Sequence, residues 1–178
     1  MTVDSATLMN KALELIEARH LFGVRPKQLG VVIHPQSTVH ALVELCDGSV
    51  ISQLANPDMK LPIQYALSWP ERLTTRPAGT LDLTKVGKFE FSAPDEERFP
   101  ALKLGRLAME RGGAAPAVLN AANEAAVARF VRGEIRFARI WELAAEALEH
   151  CENFDDGSLE SRFAADARAR RFVTERPR

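Results

Sequence analysis

Four polar side chains near the start of the chain have types and spacings suited to an anionic, oxygen-rich ligand. They are Ser5, Asn10, Lys11 and Glu14, within TVDSATLMNKALELIEA. A hydroxyl, an amide and an ammonium together suit a phosphorylated polyol. Glu14 adds a hard oxygen ligand of the kind that Mg²⁺ or Mn²⁺ takes. On a helix, Glu14 follows Asn10 by four residues and Lys11 by three, so the three converge on one point. Leu8, Met9, Leu13, Leu15 and Ile16 fall on the other side together with Ala12 and Arg19, while Thr7 joins the polar face. Asp4 or Ser5 is placed to cap this helix, which is predicted to run to about Arg19. A hydroxyl there would sit among free backbone N–H groups that favour an anion. The pattern is also met by a wetted helix face carrying a weak Lys11–Glu14 surface pair. Residue type points further, because Asn is a poorer exposed helix former than Glu, Lys or Gln.

Other candidates are weaker. His40 lies on the more polar side of a strand, where it is either a structural hydrogen-bonding residue or a catalytic one. His34, just before Pro35, reads as structural. Pro57 and Met59 sit on a Pro-bounded loop that lines a pocket or packs on the sheet. In LNAANEAA (119–126), Asn120, Asn123 and Glu124 fit close helix packing with helix-interior hydrogen bonds. Asp95, Glu96 and Glu97 precede a helix, where acids favour the positive dipole end, and are not read as a metal site. The chain has no G-x-G-x-x-G, no P-loop and no His/Cys set at zinc spacing.

Around the first helix the sequence predicts a small sheet. VVIH (31–34) reads as a buried strand stopped by Pro35. Residues 38–45 alternate, Asp47-Gly48 supplies a two-residue turn, and 49–54 return as the partner strand. A short helix follows over 63–69. Residues 70–97 are Pro-punctuated and linker-like, apart from a possible strand at 88–92. From Pro100 the pattern turns helical, with helices over 100–111 and 116–132 that start at proline and end at glycine. Two more, over 137–151 and 159–173, complete a small bundle. The arginines at 162, 168, 170, 171, 176 and 178 read as a solvated, fraying helix end. The fold class is therefore α+β: a sheet-plus-helix piece, a linker and a helical bundle.

The chain has 178 residues, enough to fold without staples. Its net charge of −1 gives no bulk field toward nucleic acid or membrane. Its two cysteines are far apart, which favours a reducing, cytoplasmic setting over a disulfide scaffold. No segment approaches the length of an apolar membrane span, and no secretory signal is present.

The blocks TVDSATLMNKALELIEARHLF, IHPQSTVHALVELCDGSVISQLANPDMKLPI, APDEERFPALKLG and LNAANEAAVARF resemble, in order, the 1-deoxy-D-xylulose 5-phosphate reductoisomerase family. The likeness runs over nearly the whole chain. It implies a fold with a nucleotide-binding domain, a central catalytic and dimerising α+β domain, and a C-terminal helical domain. On that scheme residues 1–68 are the second part of the central domain, 69–97 the linker and 98–178 the helical domain. It implies an NADPH- and metal-dependent enzyme, using Mg²⁺ or Mn²⁺, that turns 1-deoxy-D-xylulose 5-phosphate into 2-C-methyl-D-erythritol 4-phosphate for isoprenoid synthesis. The family's DSAT-x-MNK-x-x-E motif falls on Ser5, Asn10, Lys11 and Glu14 as substrate ligands, with Glu14 also a metal ligand. Lys11, Glu14 and His40 are the implied catalytic residues. The family's nucleotide-binding domain, its metal-completing Asp-x-Glu and its His-bearing flap have no counterpart in this stretch. The start near the motif reads as a truncated or split form, inactive alone, completed by a separate N-terminal half and assembled as a homodimer. The rival reading is a non-catalytic dimerisation or interaction protein of the same descent.

Overall fold

The computed structural model describes residues 2–151 and 156–177. The chain forms α1 (Thr2–Thr7), α2 (Met9–Phe22), a 3₁₀ turn (Pro26–Gln28), β1 (Val39–Glu44), β2 (Val50–Leu54), α3 (Lys60–Ser68), α4 (Leu83–Val86), α5 (Ala101–Arg111), α6 (Ala115–Val131), α7 (Arg139–His150) and α8 (Leu159–Glu175). It divides into two compact units, 1–31 with 94–178, and 32–93. These units cut the chain differently from the expected 1–68, 69–97 and 98–178. The first helices are part of the helical unit, because α2 packs against α5.

In the helical unit, α6 is central and packs against both α7 and α8. Its small buried residues Ala121, Ala122 and Ala126 let neighbours approach closely. Pro116 opens it, and Gly133, at φ 72°, follows its end. In α7, Ile140, Leu143, Ala144, Ala147 and Leu148 repeat at helical spacing and are all buried. The Arg-rich C-terminal segment is not a solvated, fraying end. Ser158 caps α8 by accepting from Ser161 N at 3.0 Å, and Ser161, Ala165, Ala169 and Val173 form a buried stripe. Arg129, itself 5% exposed, donates Nη1 to Val173 O at 2.7 Å and so holds the last turn. Arg178 lies outside the described residues.

The predicted first helix is two helices. Leu8 adopts φ 61° and ψ 13°, in the left-handed region, between α1 and α2. That conformation costs a leucine about 1–2 kcal/mol. Thr7 Oγ1 partly compensates, accepting from Met9 N at 3.3 Å and donating to Asp4 O at 3.2 Å. Thr7 is consequently buried, not on the polar face. The helix also outruns Arg19 and ends at Phe22, capped by Gly23. Arg19, as expected, leaves the polar face, and Nη1 donates to Met109 O on α5. Ala12 faces Gly105 of α5 with no room for a side chain: a Cβ on Gly105 would stand 2.8 Å from Ala12 Cβ.

In the second unit, β1 and β2 form an antiparallel hairpin. Its loop has three residues, not two, since Leu45 N bonds Ser49 O at 2.8 Å across Cys46, Asp47 and Gly48. Gly48 takes φ 84°, and Asp47 Oδ1 accepts from Ser49 N at 2.9 Å. The apolar run 31–34 makes no buried strand. Ile33 forms one isolated bridge, to Ser92, which also replaces the expected strand at 88–92. An apolar run becomes a strand only where a partner edge runs alongside it, and here pairing stops after one residue. α3 starts at Lys60, three residues earlier than predicted, because Asp58 Oδ1 accepts from Lys60 N at 2.9 Å. The stretch taken as linker holds α4, capped by Asp82 through Thr84 N.

Candidate functional site

α2 brings Asn10, Lys11 and Glu14 together as the sequence predicts. Asn10 Nδ2 donates to Glu14 Oε1 at 2.8 Å. Lys11 Nζ donates to both Glu14 oxygens, each at 2.8 Å. The three follow from one continuous helix, in which residues three and four apart are neighbours. The Lys11 and Glu14 side chains are each 47% exposed, so the pair is weak as a stability device and open to a ligand. An arriving anion can draw the Lys11 ammonium from Glu14, and that frees a carboxylate oxygen beside it for a cation.

Ser5 is exposed and stands on α1, across the break at Leu8. It sits inside a short helix instead of capping a long one. α1 is tied to α6: Asn123, 2% exposed, donates Nδ2 to Asp4 Oδ1 at 2.8 Å. The sequence signal for that tie was the lone buried amide in an Ala-rich helix.

His40 belongs to the second unit and is exposed. Val39 pairs with Leu54 and Ala41 with Gln53, so His40 is the extra residue of a β-bulge. Bulges turn a side chain out of the ladder and recur beside active sites. His34 is structural, as expected. Its Nδ1 meets Glu90 O at 2.9 Å, and its ring stacks on Phe91 with centroids 4.7 Å apart. A carbonyl only accepts, so Nδ1 carries the hydrogen. Pro57 and Met59 are exposed on their loop. A cavity of about 380 Å³ in this unit is bordered by Gln64, Tyr65, Arg72 and Arg76, none of them among the candidates.

The acids before α5 behave as a helix-entry device. Asp95 Oδ1 accepts from Glu97 N at 3.1 Å and Arg98 N at 3.0 Å, and Glu96 pairs with Arg106 at 3.7 Å. Among the described residues, no three His, Cys, Asp or Glu side chains group to hold a metal. Mg²⁺ usually takes one or two carboxylates with water and substrate oxygens. Glu14 therefore fits one place in such a shell and does not make the shell alone. Among the described residues no helix is long and apolar enough to cross a membrane.

Comparison with known proteins gives the family. Residues 54–172 match the DXP reductoisomerase C-terminal domain, and residues 1–22 match the 1-deoxy-D-xylulose 5-phosphate reductoisomerase C-terminal domain. The 1-deoxy-D-xylulose 5-phosphate reductoisomerase of Pseudomonas syringae pv. syringae is 56% identical over 170 residues, which are 96% of this chain and 43% of the relative. The solved Zymomonas mobilis reductoisomerase in complex with NADPH superposes with a TM-score of 0.91 at 48% identity, covering 97% of this chain and 45% of that one. A reductoisomerase solved with NADPH, fosmidomycin and magnesium gives a TM-score of 0.90 at 43% identity, covering 97% and 44%. The chain thus spans less than half the length of these relatives. A match through two thirds of its residues, together with these superpositions, places the chain in the family of 1-deoxy-D-xylulose 5-phosphate reductoisomerase C-terminal domains.

Proposed function

We propose that this chain carries the phosphosugar-binding face and one metal ligand of a 1-deoxy-D-xylulose 5-phosphate reductoisomerase. The observation that carries the reading is the convergence of Asn10 and Lys11 on Glu14 on an exposed helix face. Ser5 and Asn10 hold the phosphate and hydroxyls of 1-deoxy-D-xylulose 5-phosphate. Lys11 neutralises the anionic substrate and turns from Glu14 as it does so. Glu14 offers a carboxylate oxygen to Mg²⁺ or Mn²⁺, which when bound supplies Lewis-acid polarisation of the substrate's carbonyl and neighbouring hydroxyl. His40, turned out by its bulge, is the second-rank catalytic candidate. NADPH supplies the hydride of the family reaction, and these residues include no G-x-G-x-x-G to hold it. The remaining carboxylates and the nucleotide site come from elsewhere, a separate N-terminal half being one source, and the setting is cytoplasmic.

The hairpin favours assembly as a homodimer. Val43 and Ile51, cross-strand partners on one face of β1 and β2, are each more than half exposed. A second copy would cover such a surface. The same surface is what a non-catalytic dimerisation protein would keep, and that is the competing reading.

Two measurements test these readings. The purified 178-residue chain is expected to oxidise no NADPH in the presence of substrate and Mg²⁺, and measurable turnover would overturn the reading of it as inactive alone. In a full-length relative that supports isoprenoid synthesis, the exchange matching Glu14→Gln is expected to abolish growth. Unchanged growth would leave only the dimerisation protein.

A further inference from the structure

Ser5 and the Asn10–Lys11–Glu14 set stand on different helices. Leu8 parts them in a left-handed conformation, so the backbone of α2 does not by itself fix α1. Val3 packs against the core, and Thr7 ties the end of α1 to Met9. A long-range polar tie comes from α6, 119 residues away, where Asn123 Nδ2 meets Asp4 Oδ1 at 2.8 Å. Asp4 immediately precedes Ser5. On the same face of α6, one turn to either side of Asn123, Leu119 and Ala126 are fully buried. Its Oδ1 is buried and meets no donor among the described residues. An apolar side chain would avoid that orphan, so burial alone does not account for an amide here. The bond to a carboxylate does. An ionised carboxylate accepts and does not donate, which orients Nδ2 toward Asp4 and makes the bond charge-assisted.

We infer that Asn123 is a positioning residue for the phosphosugar site, holding α1, and Ser5 with it, in register with Asn10, Lys11 and Glu14. The inference rests on the reading that these residues bind the sugar phosphate. It adds that the helical unit, through α6, sets the geometry of that site.

The test uses the whole 178-residue chain. Asn123→Leu keeps the volume and removes the donor. Amide hydrogen exchange at Ala6 and Thr7 is expected to speed up about ten-fold, while the buried amides of α6 and α8 stay protected. Affinity for 1-deoxy-D-xylulose 5-phosphate, followed by the NMR shifts of Asn10 and Lys11, is expected to fall about ten-fold, or about 1.4 kcal/mol. The double exchange Asp4→Asn with Asn123→Asp reverses donor and acceptor and should restore both readouts. A merely structural role would loosen α6 together with α1. Unchanged exchange at Ala6 and Thr7 in Asn123→Leu overturns the inference. If that variant does not fold, the double exchange decides: restored protection and affinity support it, and an unprotected α1 or an unfolded chain overturns it. A wild-type chain that fails to bind the sugar phosphate refutes the proposed function instead, and the exchange of α1 still reports whether Asn123 holds it.

Discussion

Gly105→Ala places a methyl where α5 meets α2. The new Cβ would stand 2.8 Å from Ala12 Cβ and 3.0 Å from both its Cα and its carbonyl oxygen. Carbon atoms in ordinary contact are about 3.5–4.0 Å apart, so the overlap is about 1 Å. Ala12 has no rotamer that moves aside, and two of the three contacts are backbone. The relief must come from separating α2 from α5. Their surroundings resist this, since Met9, Ala12, Leu102, Ala108 and Met109 are all essentially fully buried. Two effects of opposite sign compete. Replacing a helical glycine with alanine stabilises by about 1 kcal/mol, while overpacking a tight core costs about 1–3 kcal/mol. With backbone as the obstacle the upper cost applies, leaving a net loss of about 2 kcal/mol. For a chain of this size that lowers the midpoint by about 4–8 °C in a circular-dichroism melt. A midpoint that holds or rises in Gly105→Ala would refute the reasoning, because helix propensity would then have outweighed the contact.

Arg129→Met keeps the buried stem of the side chain but removes the donors to Val173 O and to Glu134 Oε2, the latter at 3.3 Å. The expected cost is about 2 kcal/mol, with faster amide exchange in the last turn of α8, and unaltered exchange there would contradict the assigned role. Asp156 behaves differently, as an exposed acid at the entry to α8. Hydrogen bonds from the Ser158 hydroxyl and backbone N–H hold its carboxyl at about 2, below its ordinary 3.8. The folded value lies below the unfolded one, so its contribution is complete above pH about 4 and fades as pH falls toward about 2. A carbon NMR titration should place the Asp156 midpoint near 2, and Ser158→Ala should return it toward the ordinary value. A wild-type midpoint near 3.8 would remove the basis for this.

The parts of the fold legible in sequence are those decided within one segment. Pro116 and Gly133 delimit α6, and the repeat of Ile140, Leu143, Ala144, Ala147 and Leu148 defines α7 without reference to anything distant. The illegible parts depend on partners. Leucine has no preference for the left-handed region, so nothing local announces the break at Leu8. α8 buries a stripe of Ser161, Ala165, Ala169 and Val173, mostly residues too small to raise an apolar signal above the surrounding arginines. Its burial is a property of the Ala-rich face of α6 that receives it. VVIH failed in the opposite way: its apolar signal was strong, and the pairing edge was one residue long.

The same division runs through the site. Asn10, Lys11 and Glu14 were readable because one unbroken helix sets all their mutual distances. Ser5 is near them in sequence, yet it stands beyond the left-handed residue, where helical periodicity no longer relates it to α2. Alternation alone gives His40 a strand face, and the bulge between Val39 and Ala41 interrupts that alternation at His40 itself. Helical spacing thus relates Asn10, Lys11 and Glu14, while the placement of the helices themselves passes through longer-range contacts. Gly105 against Ala12 seats α2, and Asn123 against Asp4 seats α1. Both contacts come from helices more than ninety residues downstream. A fragment ending before α5 would therefore keep the whole DSAT-x-MNK-x-x-E motif and lose the contacts that seat α1 and α2.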